Sequence, residues 1–221
     1  MTQKIKLALG IDTSVFKEFI KELSLNNEVF ARENLIVVDF SKENVWNNFC
    51  DLQAQLKERK DCECDASFLQ IIPYVVLHDA QEPSLIYHYQ RGSGSGEKRL
   101  INRSVGFGGH IEEDKPIGRA IVDCVIRELD EELGITVDEE RVISSLEGAI
   151  AFHDISNDVG KVHLCVLIHT FINKTDFILE RNVIEDLQLS SLDSLVTNIK
   201  SGEMTFESWS MIALGADERI K

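Results

Sequence analysis

Arg127-Glu128-Leu129-Asp130-Glu131-Glu132-Leu133-Gly134-Ile135 gathers four acidic side chains at the end of a segment with helical periodicity. Pro116 suits a first helical position, Asp114 or Lys115 precedes it, and Gly134 reads as the C-terminal stop. Between them Ile117, Ala120, Ile121, Cys124, Val125, Leu129 and Leu133 recur on one face. Carboxylates in a last helical turn face the negative end of the helix dipole, and Glu128 and Glu132 repel each other at i, i+4. Such a break with local rules is expected at functional sites. At about 100° per residue, Glu128 and Glu132 project near the middle of the apolar stripe and Glu131 onto its flank. Ionised carboxylates there are costly unless paired or metal-bound. A divalent cation offsets both burial and repulsion, and oxygen-only donors favour a hard ion, Mg²⁺ or Mn²⁺, over zinc. The plainer alternative is a solvated tip with Arg127 as a local partner.

The run resembles the tail of the Nudix (MutT-like) box, G-x5-E-x7-R-E-U-x-E-E-x-G-U with U a bulky aliphatic, through Arg127, Glu128, Leu129, Glu131, Glu132, Gly134 and Ile135. Upstream, Gly106-Phe107-Gly108-Gly109-His110-Ile111-Glu112 resembles the glycine turn that opens the box. The match is incomplete. Arg119 stands where the pattern has its first glutamate, and Gly109 lies about four residues too far from Arg127. An insertion in the Glu112–Gly118 loop accounts for the spacing, and such insertions cost little. The displaced glutamate's role, steadying the box arginine, then falls to Glu112, Glu113 or Asp114.

The resemblance implies an α/β (α+β) chain, a Nudix-type α/β/α sandwich with a mixed sheet. It further implies a pyrophosphohydrolase acting on acid anhydrides, with Mg²⁺ or Mn²⁺ as cofactor. The substrate class is a nucleoside diphosphate derivative or related small phosphorylated metabolite. By resemblance Glu128, Glu131 and Glu132 hold metal, a backbone carbonyl at Gly108 or Gly109 adds a ligand, and Arg127 orients a box carboxylate. Glu131 is the first choice of general base. Glu180, Glu185 and Asp186 are candidates on a later segment, and His110 and His153 are candidates by reactivity. Two other classes share the fold, a nucleotide- or metabolite-binding regulator without hydrolysis and a diphosphate isomerase.

Composition narrows the partners. The formal charge of −15 over 221 residues argues against a nucleic-acid polymer. No segment has the apolar length of a membrane helix, and the N-terminus lacks a signal-peptide pattern, so a cytoplasmic location is expected. A homodimer is the commonest assembly for such chains. The five cysteines show no disulfide framework. Cys62 and Cys64 form C-x-C rather than the C-x-x-C of common zinc sites, and Cys124 and Cys165 read as core thiols.

Residues 1–65 read as an N-terminal α/β extension and 66–221 as the Nudix domain. In the extension, Ser14–Leu23 and Val45–Leu56 have helical spacing, and Leu35–Phe40 is strand-like. The domain is expected to have strands at Phe68–Leu77, Leu85–Tyr89, Leu146–Phe152 and Val162–Phe171. A late strand and helix start fall within Asn182–Leu195, and a last helix runs from Phe206 to about Ala216. Gly92–Gly96 is a flexible loop. It lacks the G-K-[ST] ending of a phosphate-binding loop.

Overall fold

The computed structural model describes residues 5–26, 28–92, 102–173, 177–180 and 183–220; beyond Gly92, the Gly92–Gly96 loop lies outside them. In chain order the elements are β1 (Leu7–Asp12), α1 (Thr13–Ser24), β2 (Val29–Arg32), β3 (Leu35–Asp39), α2 (Val45–Cys50), β4 (Ala54–Glu58) and α3 (Arg59–Cys62). There follow β5 (Phe68–Asp79), β6 (Leu85–Arg91), β7 (Arg103–Ser104), β8 (Gly106–Phe107), α4 (Ile117–Leu133) and α5 (Glu139–Ser145). The chain closes with β9 (Ile150–Asp154), β10 (His163–Ile172), β11 (Ile184–Ser191), α6 (Leu192–Ser201) and α7 (Ser208–Ala213). The class is α+β, a mixed sheet with helices.

The chain divides into two compact units. The first comprises Met1–Tyr74, Gly108–Val125 and Val142–Ile168. Here β1 pairs with β4 and with the start of β5, while β2, β3, β9 and β10 pair in that order, all antiparallel. Helix α1 buries Phe16, Phe19 and Leu23, the i, i+3, i+7 stripe of its sequence. Helix α2 ends at Cys50, well short of the expected Leu56. Leu56 instead sits in β4 opposite Leu9, because pairing with β1 outweighs the local periodicity. Phe40 and Phe49, with ring centroids 4.9 Å apart, and Trp46, 5.1 Å from Phe40, form the aromatic packing under α2.

The second unit comprises Val75–Phe107, Ile126–Arg141 and His169–Lys221. Strand β6 pairs with β11, with β7 and with the end of β5, whose Val75 and Val76 also pair with β8. The expected late strand is β11, running on into α6, capped by the Ser191 hydroxyl accepting from the Ser194 amide. The last helix is shorter than expected, because Glu207 caps it and starts it at Ser208. Helix α5 was not anticipated; its residues, with a 3-10 turn at Leu146–Gly148, displace the start of β9 to Ile150.

Strand β5 is buried along almost its whole length, as its unbroken apolar run requires. Pro73 lies between the residues of β5 that pair with β1 and those that pair with β8, so its missing N–H falls outside both ladders. Gly108 approaches the Pro73 carbonyl so closely that a Cβ would lie 2.1 Å from its oxygen, and its φ is +145°. No other residue fits there.

Two histidines of the second unit, buried His88 and partly buried His169, are held neutral. Arg103 Nε donates to His88 Nδ1 at 3.0 Å, which leaves Nε2–H to donate to Ser190 Oγ at 2.9 Å. Burial, then the Arg103 charge, drives the His88 pKa down to about 4, against the opposing pull of Asp186. Burial and the neighbouring His78, whose Nε2 lies 2.8 Å from His169 Nδ1, bring His169 to about 4 as well.

Gly108→Ala should cost about 3 kcal/mol or more from strain and overlap. Gly202, at φ +78°, also has a positive φ, but an added Cβ there meets nothing within 4 Å, so Gly202→Ala should cost markedly less in urea unfolding. Both histidines titrate lower when folded than their ordinary 6.5. Acid therefore protonates the unfolded chain first. The stability these neutral rings confer is complete above pH 6.5 and is lost as the pH falls toward 4. Urea midpoints measured across that range should fall, and His88→Gln should flatten the decline.

Candidate functional site

Helix α4 carries the acidic run on its last turns. Ile117, Ala120, Ile121, Cys124, Val125, Leu129 and Leu133 are buried, as their spacing predicts. The acids divide by face. Glu132 is 8% exposed, the Glu128 side chain 14% and the Glu131 side chain 55%. Arg127 sits between two of them, Nη2 at 2.7 Å from Glu128 Oε1 and Nη1 donating to Glu131 Oε2 at 2.9 Å. One guanidinium thus holds two carboxylates in fixed orientation.

The end of the helix is closed by backbone. Gly134, at φ +65°, donates to the Asp130 carbonyl at 2.9 Å, and the Ile135 amide reaches back to Leu129 at 3.3 Å. The Ile178 and Glu180 amides then donate to the Leu133 and Glu132 carbonyls, each at 2.9 Å. Carbonyls that a helix normally leaves to solvent are satisfied by this returning segment. A Cβ on Gly134 would lie 2.7 Å from Ile178 Cβ, so the glycine also admits the segment. Glu180, one of the acids named from sequence, is thereby tied through its backbone to Glu132. The returning segment itself carries no readable signal, because its contribution is made by amides.

The remaining candidates fall elsewhere. Asp186 accepts from Arg103 at 2.7 Å and from Gln188, and these bonds hold its carboxyl below the usual range. Glu185 is exposed on β11. Glu113 pairs with Lys115. Lys115 also reaches Asp123 at 2.8 Å, and Arg119, at the position of the missing glutamate, pairs with Asp123 at 2.5 Å. Lys115 thus braces the Glu112–Gly118 loop to α4, while the Arg119–Asp123 pair lies within the helix. His153 packs edge-on against Phe16, and burial lowers its pKa, the marks of a core histidine.

Residues Gly108–Glu112 of the glycine turn lie in the first unit. The Cys124 thiol points at the Gly109 and His110 carbonyls, 3.6 and 3.7 Å away. His110 Nε2 is 3.3 Å from His163 Nε2, a neighbour that the sequence did not single out. Cys62 is buried with its thiol on the Glu58 carbonyl, whereas Cys64 is exposed, so the C-x-C pair does not converge. Beyond the box helix, Gly134–Asp138, Arg141, Ile172 and Asn173 line a hollow of about 370 Å³. Among the described residues no helix is long and apolar enough to cross a membrane.

Comparison with known proteins gives these features a common origin. The NUDIX domain model matches residues 72–213. Protein YmaB of Bacillus subtilis (strain 168) is 37% identical over 149 residues, which are 64% of this chain and 69% of that protein. The crystal structure of Tm1382, a candidate Nudix hydrolase, aligns with a TM-score of 0.68 at 22% identity. That alignment covers 95% of this chain and 97% of the other, so the likeness in fold extends beyond the segment that the domain model matches. Nudix hydrolases typically use a divalent metal, and the oxygen-rich end of α4 has the donor set for one. By the domain match and the identity with YmaB, this chain belongs to the Nudix family.

Proposed function

We propose that the protein hydrolyses a diphosphate linkage in a nucleoside diphosphate derivative or a related small phosphorylated metabolite, with Mg²⁺ or Mn²⁺ bound at the end of α4. The observation that carries this reading is the burial of Glu132 and Glu128 at the negative end of a helix, with Arg127 bridging Glu128 and Glu131. Family membership supports a pyrophosphohydrolase type of activity. Residues 66–221 are assigned to the hydrolase and residues 1–65 to an extension whose β1 is paired into the same sheet.

The donors fit a hard cation, since Glu128, Glu131 and Glu132 offer only carboxylate oxygens. Glu132 and Glu128 are the ligands their burial favours. Such an ion supplies neutralisation of phosphate charge and a more acidic water. The chain's own groups do the rest. Arg127 keeps Glu128 and Glu131 from swinging away from each other. Glu131, the most exposed of the three, takes the proton from the attacking water. The oxygen of that water bonds to phosphorus as the bridging P–O bond breaks, and the second phosphate leaves with that electron pair. Closing the helix end with the amides of Ile178 and Glu180 fixes where these carboxylates stand.

The test is incubation with Mg²⁺ or Mn²⁺ and a panel of nucleoside diphosphate derivatives, read by phosphate release and product mass. Turnover should require the metal and cease with chelator. Glu132→Gln should lower turnover about 100-fold or more with an unchanged circular dichroism spectrum. Arg127→Ala should lower it less, about 10-fold, by loosening two carboxylates at once. Tight nucleotide binding without any turnover would replace this reading by a binding protein, and full activity in Glu132→Gln would remove the metal assignment.

A further inference from the structure

Glu63, His110 and His163 bring one ligand atom each to within 4.8 Å of one another. They arrive from three distant places in the chain: the end of α3, the glycine turn and the first residue of β10. We propose that they form a separate site for a Zn²⁺-class ion, different in chemistry from the carboxylate cluster of α4. The inference stands apart from the proposed hydrolysis and needs none of its residues.

Orientation is the first argument. His163 is 4% exposed, and its Nδ1 donates to the Val159 carbonyl at 2.7 Å. That bond fixes the tautomer and turns the Nε2 lone pair outward, the arrangement found behind most metal-bound imidazoles. Distance is the second. The two Nε2 atoms stand 3.3 Å apart, with the rings tilted at 72°. This spacing is that of a long hydrogen bond between the two nitrogens. It matches the edge of a tetrahedron with metal–nitrogen bonds of about 2.0–2.1 Å, which is about 3.3–3.4 Å. The carboxylate is the third. Arg59 Nε holds Glu63 Oε1 at 2.7 Å, a buttress of the kind that orients ligating carboxylates.

Two imidazoles and one carboxylate select borderline ions such as Zn²⁺ over Mg²⁺ and leave a fourth position for water. The C-x-C stretch thus contributes its middle residue, Glu63, while the two cysteines stand aside. Occupancy would clamp the glycine turn to β10 and to the end of the N-terminal segment, cross-linking residues 63, 110 and 163 within one compact unit.

The full chain is titrated with Zn²⁺ against a chromophoric chelator, and imidazole ¹⁵N shifts are followed by long-range proton–nitrogen correlation. Wild type and Glu132→Gln should each bind one Zn²⁺ at this site with equal affinity and move the Nε2 signals of His110 and His163. His110→Ala and Glu63→Gln, both at partly exposed positions, should weaken binding at least 100-fold and about 10-fold with unchanged circular dichroism; His163→Asn should abolish it. Undiminished binding in His110→Ala, unmoved imidazole signals, or loss of zinc in Glu132→Gln would overturn the proposal.

Discussion

Holding three carboxylates at the negative end of a helix is the electrostatic constraint to which the end of α4 answers. The helix dipole and the mutual repulsion of Glu128 and Glu132 both oppose the arrangement. Arg127 offsets part of it by bonding Glu128 and Glu131. The Ile178 and Glu180 amides offset more, since each N–H set against a terminal carbonyl cancels some of the partial negative charge there. Gly134 makes that docking sterically feasible. A salt bridge, two backbone bonds and a missing side chain thus serve one electrostatic end.

Glu207 supplies an internal contrast. It is as buried as Glu132, at 4% exposed, yet it sits at the positive end of α7. It accepts from the Trp209 and Ser210 amides and from the Ser210 and Ser104 hydroxyls, at 2.7–3.2 Å. Burial there is answered by ordinary capping. The two glutamates differ in which helix end they occupy, so the helix dipole favours the carboxylate at α7 and opposes the one at α4.

Legibility followed how local each determinant was. The α4 stripe, its glycine stop and the split of Glu128, Glu131 and Glu132 between faces depend on helical angle alone, and the structure places them as the spacing indicates. Strands β5, β6 and β10 were readable because continuous apolar runs admit few alternatives. Strand β4 was not, since its residues share a helical period with α2 and only pairing with β1 decides between them. Strand β1, short and unflanked by turn residues, was missed for the same reason. At the site, His163 looked like one more residue of a strand; its nearness to His110 is a product of topology. The pair that braces the Glu112–Gly118 loop, Lys115 on Asp123, and the intrahelical pair of Arg119 with Asp123 were equally invisible as pairs. Asp123 shows their net effect: burial raises its pKa, but the two cations prevail and hold it low.

The pairing of β3 with β9 has a consequence for the order in which the molecule assembles. Leu35 through Asp39 find their partners at Asp154 through Ile150, more than a hundred residues later. Strand β1, by contrast, meets β4 and the start of β5 much sooner. A chain emerging from the ribosome therefore carries one edge of β3, whose other edge is paired with β2, open until most of the family domain has been made. Loop closure of that span is slow, and exposed strand edges are what aggregation exploits meanwhile. Most of β2 and β3 is exposed or only partly buried, with Arg32, Glu33 and Asn34 at their turn. That charged turn is a fitting guard for a hairpin that must stay in solution while its third strand is still being synthesised.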